Sequence, residues 1–185
     1  LTALTDAEFP DRTKRMAEMR FLRGHAHFIG KVMWNHIPYI DETLTREQIL
    51  ETSNVALSSD ELWNKIAEDF QFAIDNLPAT QPEIGRANQL AAKAYLAKVR
   101  LYQAYTQDDA HNVTGIDPAR LNLVVNLTTE VINAGKYSLQ PDFAENFLNG
   151  YDNGPESIFA IQYSINDGTA IGRLSMSTSL NYSLA

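Results

Sequence analysis

Helix-start signals recur at Ser58, near Ala87 and at Asp117, about 30 residues apart, close to the ~34-residue period of tetratricopeptide-type helical hairpins. Each opens a segment with apolar residues at three- and four-residue spacing, a pattern that favours stacked helices over an alternating α/β sheet. Ser58-Ser59-Asp60-Glu61 reads as a capping box, in which serine and glutamate satisfy orphan backbone donors. Leu62, Ile66, Phe70, Ala73 and Leu77 follow on one helical face, Glu61 and Lys65 are expected to pair on the wet side, and Leu77-Pro78 closes the helix. Ala87 to Tyr105 is alanine-rich, with Leu90, Ala91, Ala94, Leu101 and Tyr105 along one face. Asp117-Pro118 offers an N-cap and a first-turn proline, and Leu121, Val124, Thr128, Val131 and Ile132 carry the period to Gly135.

Upstream, a helix is expected after Pro10. It carries one apolar stripe at Met16, Met19, Leu22, Ala26, Ile29 and Met33 and a second at Phe21, His25, Phe28 and Val32. Two stripes predict burial on more than one side, with Pro38 ending the helix. Asp41 to Leu57 reads as a connection with a short helix at Thr45 to Glu51. Downstream, a short helix is expected around Phe143 to Leu148. Ser157 to Ser164, rich in β-branched and aromatic residues between turn signals, reads as a strand. The expected fold is mainly α: tetratricopeptide-like stacked helical hairpins over 1–150, then, over 151–185, the short strand region that starts a mixed part of a larger, truncated domain. The first residues, Leu1-Thr2-Ala3-Leu4-Thr5, hold neither an initiator Met nor a signal-peptide pattern, as expected of an excised piece.

Charge excludes one class of partner. Fifteen Lys and Arg against 23 Asp and Glu give a net charge of −8, so a phosphate backbone is repelled and nucleic acid is not an expected partner. Six of the basic residues lie between Arg12 and Lys31, whereas Asp41 to Glu83 holds ten acidic residues against Arg46 and Lys65. Without cysteine, disulfides and thiolate metal sites are ruled out. No cofactor is expected. His25 and His27, two apart on a helix, point about 200° apart and cannot share a metal ion. His25 is expected to be a hydrogen-bonded core histidine. Asp108, Asp109, His111, Asn112 and Asp117 lack the spacing of a calcium loop, so they read as a solvated loop in which Asp117 caps the next helix.

The candidate ligand site is Trp34, Asn35, His36 and Tyr39, at a helix-to-loop transition where an aromatic ring can stack on a sugar face and Asn or His can bond hydroxyls. The competing reading makes Trp34 and Tyr39 plugs for the helix end. Asp41-Glu42 is the carboxylate pair beside this turn, but adjacent carboxylates seldom oppose one another as glycoside hydrolysis needs. Common catalytic motifs are absent, so no enzyme is expected. Arg86, opening the alanine-rich helix, is expected to clamp a carboxylate such as Glu68 or Asp69.

Three stretches carry a family likeness. They are Arg20-Phe21-Leu22-Arg23-Gly24-His25-Ala26-His27-Phe28 with Met33-Trp34-Asn35-His36-Ile37-Pro38-Tyr39-Ile40; Gly85-Arg86-Ala87 with Ala91 to Val99 and Leu101-Tyr102; and Val131 to Leu139 with Phe147 and Glu156 to Gln162. In this order they resemble the SusD/RagB family, although Asn35 and His36 stand where the family commonly has glycine and a small or polar residue. The resemblance implies a non-catalytic, surface-exposed lipoprotein of the outer membrane, with a tetratricopeptide-like scaffold. It implies a glycan or other nutrient ligand and a SusC-like TonB-dependent transporter as partners, with membrane attachment through a lipid anchor absent from this chain. The alternative reading is a helical-repeat adaptor whose concave face binds a protein.

Overall fold

A computed structural model describes residues 1–108, 110–148 and 150–162. Its elements are α1 (Arg12–Trp34), α2 (Arg46–Glu51), α3 (Ser59–Asn76), α4 (Gln89–Ala104), β1 (Tyr105–Gln107), β2 (Val113–Ile116), α5 (Pro118–Asn133) and a 3₁₀ turn at Phe143–Phe147. The start signals work as the sequence predicts. Ser58 and Glu61 form the capping box of α3, Thr45 and Gln48 form one for α2, and Asp117 accepts the Ala119 and Arg120 amides ahead of Pro118. Glu61 is thereby committed to the cap, and Lys65 pairs instead with Glu68 at 3.4 Å.

Successive helices run antiparallel, as pairs of side chains crossing between them show. Arg20 lies over the Phe72 ring while Lys31, later on α1, lies over Trp63, earlier on α3. Gln89 bonds the Ile74 carbonyl whereas Gln103 bonds Asp60, and Lys93 pairs with Glu130 whereas Arg120 bonds the Gln103 carbonyl. The packing order α1, α3, α4, α5, each helix mainly on its neighbours in that order, is the layered arrangement of helical hairpins.

The core fills the α1–α3–α4 interface. Phe21, Ala17 and Phe28 of α1 meet Leu62, Trp63, Ile66 and Phe70 of α3 and Ala91, Leu96 and Val99 of α4. Phe21 takes Phe70 and Tyr95 edge-on, each at 5.5 Å between centroids, the geometry that the aromatic quadrupole favours. Gly24 lets α1 approach closely: a Cβ there would sit 3.2 Å from both the Asp69 Cβ and the Phe70 ring.

Several expectations are corrected. Of the two expected α1 stripes only Phe21 and Phe28 are buried, with His25 and Met16 partly so; Val32, Met19, Leu22, Ile29 and Met33 face solvent, Met19 and Met33 at 60% and 64% exposure, because α3 and α4 cover one side of α1 only. Of the face expected for α4, Leu90 and Ala91 are buried, but Leu101 and Tyr105 are exposed and Ala92, Leu96, Ala97 and Val99 take the remaining core positions. The helix stops at Ala104, and Tyr105 opens an antiparallel hairpin that the sequence reading lacks, Tyr105 pairing with Ile116 and Thr106 with Gly115. Its loop is shaped by Asp108, whose carboxylate accepts the Ala110 and Asn112 amides. From Ser157 to Gln162 no ladder forms, and Tyr163 and Ser164 lie outside the described residues. This segment instead lays Phe159 on Phe21, with centroids 4.7 Å apart, so its apolar composition serves a core contact.

Candidate functional site

Helix α1 ends four residues before Pro38, through its own C-terminal chemistry. Asn35 adopts φ 59° and ψ −52°, a γ-turn in which the His36 amide donates to the Trp34 carbonyl at 2.6 Å. The buried Lys31 donates through Nζ to the Asn35 carbonyl at 2.8 Å and to its Oδ1 at 3.2 Å. A cation there also offsets the negative end of the helix dipole. Burial holds the Lys31 ammonium below its ordinary pKa.

This cap separates the four candidate residues. Trp34, at 66% exposure, stands at the rim with Asn35 and His36 also exposed, and its ring leans along α1 toward Gly30. Gly30 makes room: a Cβ there would meet the Ile37 Cδ1 at 3.1 Å and the Trp34 ring at 3.9 Å. Tyr39 turns inward, its hydroxyl donating to Asp69 Oδ2 at 2.8 Å and its ring stacked on His27 at 4.6 Å. Burial pushes the Tyr39 phenol up, and the Asp69 charge adds to it.

Beneath the turn lies a charged network that the sequence did not reveal. Asp69 is fully buried and takes two hydrogen bonds from Arg23, Nε at 2.8 Å and Nη2 at 2.5 Å, besides that of Tyr39, while Arg20 lies 3.6 Å away. Arg23 also binds Glu42. Burial opposes the Arg23 charge, yet the Asp69 hydrogen bond and charge hold its pKa above the ordinary value. Arg23 and Asp69 sit within helical stripes of no special spacing, and no local pattern marks a pair so far apart in sequence. Arg86 does not reach Asp69; it bonds Glu83 and the buried Glu18 of α1, which also accepts from Arg15 and Gln81.

Two shallow cavities flank the turn. One of about 230 Å³ is lined by Ile37, Tyr39, Asp41, Thr43 and Lys65 among others, below the ~300 Å³ lower end of common small-molecule pockets. The other, about 350 Å³, lies between Met16, Met19, Arg20, Arg23, Asp41 and Glu42. The Asp41 carboxylate accepts the Thr43 hydroxyl at 2.6 Å and the Thr43 amide at 2.9 Å, which lowers its pKa. The Glu42 backbone amide and Arg23 lower that of Glu42. Both carboxylates are thus held as anions, the opposite of the raised pKa that a glycosidase acid requires.

His25 departs from its expected role. It packs edge-on against Tyr95 and Phe159, and its buried Nδ1 has no hydrogen-bond partner. Among the described residues no group of three His, Asp or Glu side chains could hold a metal ion, and no helix is long and apolar enough to cross a membrane.

Residues 1–101 match a SusD-like family model described as starch-binding associating with outer membrane. No curated relative matches the chain. Among solved structures, a SusD-like protein from Bacteroides fragilis NCTC 9343 is 26% identical, with TM-score 0.67, over 86% of this chain and 29% of that one. A structure with a xylogluco-oligosaccharide is 25% identical, with TM-score 0.64, over 82% of this chain and 30% of that one. Surface glycan-binding protein A from Bacteroides thetaiotaomicron, in complex with laminarihexaose, shares the fold at 23% identity and TM-score 0.65, over 88% of this chain and 30% of that one. The chain therefore spans less than a third of each structure it matches.

Proposed function

This chain belongs to the SusD-like family, and from that premise we propose that it is the helical scaffold of a non-catalytic, outer-membrane glycan-binding protein that passes its ligand to a TonB-dependent transporter. The observation that carries the binding role is Trp34: a large aromatic ring two-thirds exposed on a rigid helix end, beside two exposed polar side chains. Such a ring offers an apolar face to a sugar while Asn35 and His36 supply donors and acceptors. Tyr39 contributes by shaping the turn, since its hydroxyl is taken by Asp69. The non-catalytic role draws support from Asp41 and Glu42, both stabilised as anions.

On this reading residues 1–150 are the tetratricopeptide-like scaffold and 151–185 begin the mixed region of a larger domain. Two uncovered apolar surfaces support that division: the Met19–Met33 stripe of α1, and a patch with Leu139, Phe143 and Phe147, all at least 73% exposed. Contiguous exposed apolar surface marks a contact with something else.

Calorimetry against xylogluco-oligosaccharide and laminarihexaose, with reducing ends monitored, tests the function. Saturable binding without cleavage, weakened at least tenfold by Trp34→Ala, is the expected result. Release of reducing ends would overturn the non-catalytic role, and unchanged affinity in Trp34→Ala would remove the turn as the site.

A further inference from the structure

The turn that follows α1 is tied back to the helix by one imidazole. His27 Nδ1 lies 3.0 Å from the Arg23 carbonyl oxygen, and the Ile40 amide donates to His27 Nε2 at 3.2 Å. A carbonyl oxygen only accepts and a backbone amide only donates, so the two contacts together fix the neutral tautomer with hydrogen on Nδ1. A second proton, on Nε2, would set one N–H against another and remove the acceptor.

The neighbouring contacts make this tie consequential. Tyr39, one residue before Ile40, stacks on the same imidazole, 28° from coplanar, and reaches over it to Asp69. Ile37, three residues before Ile40, lies against Gly30 beside the Trp34 ring. Trp34 to Ile40 is thus a short span fixed at one end by α1 and at the other by His27. Tyr39 and Ile37 also line the smaller cavity, so its wall depends on the same tie.

We propose that His27 is the positioning residue of the ligand turn: its neutral imidazole ties the Ile40 backbone to α1 and thereby holds Ile37 and Tyr39 beside Trp34 in the arrangement that receives a neutral oligosaccharide. This role rests on the Trp34 site reading. Protonation of His27 unties the turn, making capture weaker in acid. The charged and titratable groups around the imidazole are Arg23 from α1, Asp69 from α3, and Tyr39 and Asp41 from the turn itself. Burial disfavours the imidazolium and the Arg23 charge repels it, against the hydrogen bond to the Arg23 carbonyl and the attraction of Asp69 and Asp41, so the His27 pKa lies below its ordinary value.

The test is xylogluco-oligosaccharide calorimetry between pH 4.5 and 8 on the wild type, His27→Gln and Trp34→Ala, with the Ile40 amide followed by NMR. Glutamine keeps an acceptor for the Ile40 amide but does not titrate. The wild type is expected to lose about tenfold in affinity as His27 protonates, with the Ile40 amide shift following the His27 ring signals. In His27→Gln both curves flatten. Binding that Trp34→Ala weakens, but whose acid loss persists in His27→Gln, would overturn the His27 role alone. An Ile40 amide that ignores His27 titration would do the same. Binding untouched by Trp34→Ala, or absent from every variant, would overturn the site reading and the His27 role together.

Discussion

Arg23 and Asp69, on α1 and α3 and 46 positions apart, meet through two parallel hydrogen bonds, and the Asp69 carboxylate is wholly removed from water. Such a pair is not in itself a large source of stability, because both charges lose hydration. Its value here is geometric: the same carboxylate also takes the Tyr39 hydroxyl, so one buried group joins α1, α3 and the turn that follows α1.

Removing one member should therefore cost far more than the intact pair contributes. Asp69→Ala leaves Arg23 with Glu42 alone and strands the Tyr39 hydroxyl, and a loss of about 3–5 kcal/mol is expected. Lys65→Ala, which removes an exposed pair with Glu68, should change stability by less than about 1 kcal/mol. Urea denaturation of the two variants measures the contrast, and equal losses would show that Asp69 does not hold the layers together.

Gly24 supplies the second prediction. At Gly24 α1 comes close to α3, and the atoms that a Cβ would meet belong to the buried Asp69 and Phe70 side chains. Neither can swing into solvent. Gly24→Ala should destabilise by about 1–3 kcal/mol despite alanine's better helix propensity. A thermal melt unchanged or raised by the substitution would mean that the interface has slack.

These two positions also show what the sequence could and could not reveal. The ends of α3 and α5 were legible because capping is local chemistry: Ser58 with Glu61, and Asp117 with Pro118, act within one turn. The period of α3 was legible because its whole apolar face is buried. On α1 the same rule misplaced a stripe, since periodicity reports which residues are apolar and not whether a neighbour is present to cover them. Tyr105 and Ile116 were unreadable as a hairpin because a helical face ran straight into β1. Phe159 looked like part of a strand because β-branched and aromatic composition suits a core plug equally well. At the turn, the helix-end place of Trp34 was legible from its position before Pro38, whereas Lys31, His27 and Asp69 act through contacts that spacing does not encode.

The two tryptophans, similar in a composition count, should behave in opposite ways. Trp63 is 7% exposed and packs between Phe28 and Tyr102, with Lys31 over its ring. Trp63→Ala should cost about 3–5 kcal/mol through lost burial and the cavity left behind. Trp34→Ala should shift stability by no more than about 0.5 kcal/mol while weakening oligosaccharide capture. Melts run beside the calorimetry decide whether Trp34 serves the ligand or the fold: a large stability loss in Trp34→Ala would assign it to the fold.

Acid should act on this scaffold in two steps. Burial lowers the pKa of both His25 and His27, and Lys98 adds to the effect on His25. The unfolded chain takes up these protons near pH 6.5, while the folded chain resists until lower pH. Between the folded and unfolded values the unfolded state binds more protons, so stability falls as pH drops below about 6.5 and levels off once the folded histidines are charged. The carboxylates respond later and in the same direction. Burial raises the Glu18 pKa but Arg15, Gln81 and Arg86 bring it below its ordinary value, Thr43 lowers that of Asp41, and the Glu42 backbone amide and Arg23 lower that of Glu42. Their contribution is complete above about pH 4.5 and is lost as pH falls through their folded values. A melting temperature plotted against pH should accordingly show a first decline that His25→Phe with His27→Gln abolishes, and a second that the double variant retains. Persistence of the first decline in that variant would place its origin outside the two imidazoles.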